Sequence, residues 1–113
     1  MFIQIFVLAG HYPNADIAKL ASKKFADKDI KIVVVKEPDL VDGELGDHAG
    51  KWETSLLMVL FPELVNLDLM KGKQNRLMAV EGIDPKESSK EYGNEILEKI
   101  LKFFPFFFET KSE

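Results

Sequence analysis

Two short apolar runs, "FIQIFVL" at Phe2–Leu8 and "IKIVVV" at Ile30–Val35, lie either side of one amphipathic stretch and limit what this chain can become. Both are rich in β-branched and aromatic residues and too short for helices, which predicts strands buried on both faces. Between them Ile17, Ala18, Leu20, Ala21 and Phe25 recur at helical spacing over Ala15 to Ala26, with Lys19, Lys23 and Lys24 elsewhere on the wheel. Ala9-Gly10-His11 ends the first strand, and Pro13-Asn14 supplies helix-start chemistry. Strand, helix and strand with such short connections predict a βαβ unit, a right-handed crossover and parallel strands.

Beyond it, residues 36–50 read as a loop carrying Glu37, Asp39, Asp42, Glu44 and Asp47. Lys51–Phe61 is apolar almost all round after Ser55, which predicts a central, enclosed helix with Pro62 near its end. Leu67–Arg76 reads as irregular and Leu77–Val80 as a short third strand. A last helix follows, with Ile96, Leu97, Ile100, Leu101 and Phe104 as its stripe and Tyr92 one turn earlier. The "FFPFFF" run at Phe103–Phe108 is too apolar for a free tail and needs cover from the core or another chain.

Length and composition narrow the class. The 113 residues suit a single domain spanning 1–113. A net charge of −4 gives no electrostatic reason to expect a nucleic-acid partner. The absence of cysteine excludes disulfide and thiolate chemistry and is compatible with a reducing cytoplasm. No apolar run approaches the roughly 20 residues that span a bilayer, so no membrane partner is expected, and the apolar N-terminus has no positive flank of the kind a signal peptide carries. A soluble, cytoplasmic chain is predicted.

The two histidines stand where a parallel sheet puts its chemistry. Ligands of open α/β sheets bind outside the carboxyl ends of the strands. His11 directly follows the first strand, and His48 closes the loop after the second. Glu53 comes five residues after His48, and Gly50 lets the chain turn so that the two side chains can converge. Two imidazoles and a carboxylate suit a divalent ion such as zinc or manganese. The same residues also read as ordinary loop and solvated positions, and Trp52 as packing or as a lid over a substrate. A phosphate-cradling loop is disfavoured, because "AGHYPNA" offers one glycine and a proline.

Three blocks, in order, carry a resemblance. "HAGKWETSLLMVLFPELVNLDLM" resembles the "HAGxxETS" block of the creatininase (creatinine amidohydrolase) family with its "PELV" continuation. "IQIFVLAGHYPN" is similar to the family's strand ending in "NGHGGN" or "NGHYEN", and "EGIDPKESSKEYGNEILEKI" to its closing segment and last helix. The resemblance implies an α/β fold, a three-layer αβα sandwich around a small, mostly parallel sheet, with the family's N-terminal half absent. It implies a metal-dependent hydrolase of C–N bonds in cyclic amides or formamides, homo-oligomeric, using two zinc or manganese ions. Carried over by position, His11 and Glu53 are metal ligands, His48 and Glu53 catalytic groups, and Trp52 a substrate contact.

The sequence departs from the pattern in three places. Ala9 replaces the asparagine of "NGH", and Pro13 stands where some members have a second-metal glutamate. No "E-x-H" pair, which the family's first half supplies, occurs in the chain. Loop acids such as Asp42, Glu44 or Asp47 are substitute ligands, and a binuclear centre needs a complementing N-terminal half or another copy. The alternative is a non-catalytic, truncated member serving as an interaction or structural module.

Overall fold

The β-branched runs form the predicted strands, β1 at Ile3–Ala9 and β2 at Ile30–Lys36, paired in parallel from Ile3 opposite Ile30 to Ala9 opposite Lys36. The computed structural model describes residues 3–26, 28–41, 45–72 and 77–108, without the side chains of 104–108. Helix α1 spans Pro13–Ser22, with the ring of Pro13 at a position where the N–H would lack an intrahelical partner in any case. The expected helix end is reached differently: Lys23–Phe25 tightens into a 3₁₀ turn. α1 packs on both strands, and Ala15 in its first turn is buried. A 3₁₀ turn at Glu37–Leu40 follows β2, its entry fixed by the Asp39 carboxylate accepting the Lys36 N–H at 3.2 Å.

The chain divides into two compact units, residues 1–44 with 103–113 and residues 45–102. In the first, the sheet described has only two strands, and its burial departs from expectation. Neither strand is buried on both faces; Ile3 and Ile5 are 39% and 41% exposed. The physical reason is that, among the described residues, each strand has a single neighbour and α1 is the one α-helix wholly within the unit. The result is an α/β unit with a small parallel sheet.

In the second unit α2 covers Lys51–Leu60 and α3 begins at Lys90, running to Phe108. The expectation of an enclosed α2 is corrected: only Trp52 and Ser55 are buried along it, while Leu57 and Leu60 face outward. Enclosure requires neighbours on every side, and here α3 approaches along one line. That line is unusually tight. A Cβ added at Gly93 would overlap the Ser55 carbonyl oxygen, so the two helices cross where α3 has no side chain. Ser55 is fully buried, and its hydroxyl accepts the Ser89 N–H at 3.1 Å. The Ser89 hydroxyl in turn accepts the Tyr92 N–H at 3.1 Å and caps α3. One and two turns further, Ile96 and Ile100 are buried as the stripe predicts, but Leu101 lies mostly outside.

The expected third strand at Leu77–Val80 does not form. Residues 78–79 make a turn with Ala79 at φ 60°, and among the described residues the pairing here is one antiparallel bridge between His48 and Glu81. Leu67–Met70, expected as irregular, is a 3₁₀ turn opened by the Asn66 side chain accepting from the Asp68 N–H. Backbone helix carries the Phe103–Phe108 run, but the cover expected for it concerns side chains largely outside the described residues. Among the described residues no helix is long and apolar enough to cross a membrane.

The close approach at Gly93 yields a stability prediction. Gly93→Ala places a methyl group against backbone that cannot rotate away, and should lower stability by about 1–3 kcal/mol. A urea denaturation midpoint equal to that of the unmodified chain would show that the helices separate at no cost.

Candidate functional site

The predicted site residues fall in both units. In the first, the chain leaves β1 through a bend at Gly10-His11, and the His11 carbonyl accepts the Asn14 N–H at 2.9 Å. His11 is exposed beyond the carboxyl end of a parallel strand, the position such sheets use for ligands. In the second unit, His48, Trp52 and Glu53 lie on one turn and the first residues of α2.

That turn is organised by backbone donors. A helix start leaves several N–H groups without intrahelical acceptors. Here the Asp47 carboxylate takes three: its Oδ2 accepts the Trp52 N–H at 2.6 Å, and its Oδ1 accepts those of Glu53 at 3.1 Å and Gly50 at 3.3 Å. Glu53 reaches back, its Oε2 accepting the Ala49 N–H at 2.7 Å. The two acids therefore grip the same short segment from opposite ends, and both suit the positive end of the α2 dipole. A reciprocal backbone pair holds the segment's other side, with His48 N–H to Glu81 O at 3.1 Å and Glu81 N–H to His48 O at 3.0 Å. The Lys51 N–H adds a bond to the Ile83 carbonyl at 3.0 Å.

The geometry assigns each group a chemical capacity. Glu53 spends Oε2 on the turn, and no protein bond engages its Oε1 in the contacts described. That carboxylate is folded back to Ala49, the residue after His48. The His48 imidazole is exposed. Trp52 is 2% exposed, and its buried indole N–H has no hydrogen-bond acceptor among the described residues. The Lys51 ammonium lies 4.5 Å from the centre of the Tyr92 ring.

Histidine and carboxylate are donors suited to zinc or manganese, so the chemistry of His11, His48 and Glu53 fits the expected ion. Among the described residues, however, no group of three or more histidine or acidic side chains gathers for one. Of the loop acids, Asp42 and Glu44 lie outside the described residues, and Asp47 is committed through both oxygens to backbone N–H groups. Asp47 is the residue organising this turn, and periodicity misses it. Its signal in the sequence is local: an acid three residues before a helix-opening glycine, followed six residues on by a second acid.

Ala49 takes φ 52°, a left-handed backbone that costs a residue with a side chain about 1–2 kcal/mol relative to glycine. Ala49→Gly should therefore be neutral or stabilising by up to about 1 kcal/mol in urea unfolding. A clear loss of stability would mean the methyl group packs in a way that outweighs the strain.

The family model described as creatininase, creatinine amidohydrolase, matches residues 2–104. The creatinine amidohydrolase of Pseudomonas putida is 33% identical over 86 aligned residues, covering 58% of this chain and 33% of that protein. The chain thus spans about a third of the length of the curated relative it matches. No solved structure matches it.

Proposed function

The chain belongs to the creatininase family, and from that premise we propose that it is a metal-dependent amidohydrolase cleaving C–N bonds in cyclic amides or formamides. The observation that carries the reading is the turn at 47–53. It carries an exposed imidazole at His48 and, five residues on, a carboxylate, Glu53, whose Oε2 is held by the Ala49 N–H. In this reading His11 and Glu53 are the chain's ligands for a zinc or manganese ion. When bound, such an ion would supply Lewis-acid polarisation of the carbonyl and bring the pKa of a bound water down towards neutrality.

The chain's own residues do the rest. Glu53 Oε1 accepts a proton or binds the ion, while Oε2 stays on the Ala49 N–H and fixes the carboxylate plane. His48 delivers a proton to the leaving nitrogen from the exposed imidazole, as general acid. Trp52 is the substrate contact of this reading, and its indole N–H, which has no acceptor among the described residues, is the polar group it has to offer. The remaining ligands come from a complementing N-terminal half or from another copy in a homo-oligomer, and that addition completes the three-layer αβα sandwich. The compartment proposed is the cytoplasm.

A second reading, a non-catalytic interaction module, draws on the exposed apolar residues Ile17 and Leu20 on α1 and Ile3 and Ile5 on β1. The two readings separate by experiment. The chain, alone and co-expressed with the N-terminal half of a full-length family member, is assayed for amine or ammonia release from cyclic amides and formamides with Mn²⁺ or Zn²⁺. Metal-dependent turnover is expected, and His48→Ala and Glu53→Ala should each reduce it by about 100-fold or more. Turnover unaffected by either substitution would exclude the assigned roles, and none above buffer in any combination would favour the module.

Acid provides a separate test. Protons and metal ions compete for the same ring nitrogen of an imidazole, so bound metal should be released as the solution is acidified. Metal retained at acid pH, or bound equally well by His11→Ala, would remove His11 from the ligand set.

A further inference from the structure

This inference rests on the reading that His48 and Glu53 act at one hydrolytic centre, and concerns what holds them in place. We propose that Asp47 is the positioning residue of that centre. It touches no substrate; it sets the spacing between the imidazole at 48 and the carboxylate at 53.

Three observations carry this. Asp47 directly precedes His48 and also holds the N–H of Glu53, so any displacement of its carboxylate moves both partners. Glu53 closes the circuit by accepting from Ala49, on the far side of His48. Finally, room for the carboxylate is kept by two glycines from separate segments. A Cβ at Gly50 would collide with the Asp47 carboxylate and lie 2.8 Å from the Ile83 carbonyl oxygen. A Cβ at Gly82, which has φ 94°, would lie 2.7 Å from the Asp47 Cβ. An ordinary helix cap needs none of this. Ser89 caps α3 through a single bond to the Tyr92 N–H. The seat built around Asp47 instead fixes the carboxylate in position as well as supplying the α2 N–H groups with acceptors.

The test compares Asp47→Asn with Ser89→Ala, a cap loss elsewhere in the same unit. Asp47→Asn keeps the size but turns an amide NH₂ toward a backbone donor. It should lower kcat by about 10- to 100-fold with KM changed less than about 3-fold, because orientation rather than binding is lost. In ¹H–¹⁵N spectra the Ala49 and Glu53 amides and the His48 ring should shift. Ser89→Ala should lower the melting temperature while leaving kcat and those resonances unchanged. If Asp47→Asn fails to fold, Gly82→Ala, which crowds Asp47 without removing its charge, takes its place with the same expectations. The proposal is overturned if the resonances stay at their original positions, or if Ser89→Ala lowers kcat as much as Asp47→Asn does. Should the unmodified chain hydrolyse no amide, the functional reading fails, and the Ala49, Glu53 and His48 resonances alone decide for or against the positioning role.

Discussion

One carboxylate facing three backbone N–H groups organises the second unit. Asp47 accepts from Gly50, Trp52 and Glu53, and so determines where α2 begins and in which direction its first turn points. Losing a helix cap of this kind costs about 0.5–2 kcal/mol. The larger consequence is geometric. The residues bracketed by those bonds include every functional candidate in the unit, because His48 precedes the gripped amides and Trp52 and Glu53 supply two of them. The left-handed conformation of Ala49 follows from the same constraint. The chain must reverse within two residues to bring the Ala49 N–H onto Glu53 while Asp47 still reaches the helix start.

Downstream of that turn, α2 is held by its approach to α3. The absent side chain at Gly93 and the small, fully buried Ser55 let the two backbones come close. The hydroxyl of Ser55 then accepts the Ser89 N–H, so the start of α3 is tied to the middle of α2. A larger apolar residue at 55 would remove the acceptor of a part-buried donor and force the helices apart at once, two costs that act together. The seam thus explains why a helix whose later residues are nearly all apolar contributes only Trp52 and Ser55 to the interior.

These features differ in how visibly the sequence announces them. β1, α1 and β2 are written in periodicity, and their order and parallel pairing follow from chain length and handedness. The candidates His11, His48 and Glu53 stand out because rare residue types fall at element ends. Burial was less legible. "LLMVLF" in Leu56–Phe61 reads as an enclosed helix, but enclosure depends on how many neighbours arrive, which hydropathy does not encode. Leu77–Val80 has strand-like composition, yet a positive φ at Ala79 breaks the extended path. Asp47 is lost among loop acids because its partners are backbone amides, and these carry no letter in a sequence.

The sheet bears on the choice between an enzyme and a bare scaffold. Two strands with one covering helix form a marginal structure in water, since a stable sheet ordinarily needs a third strand or a larger packed face. In the first unit Ile3, Ile5, Ile17 and Leu20 remain exposed on the strand and helix that supply its apolar surface. Unpaired strand edges with apolar side chains attract further strands. A polypeptide that adds strands beside β1 or β2 would bury that surface and, in the same step, bring new residues to the carboxyl ends of the strands, where His11 sits. On the proposed reading, association would then supply both stability and further ligands. For this reason the exposed apolar residues do not by themselves favour the non-catalytic module: a hydrolase completed by a second polypeptide requires the same surface.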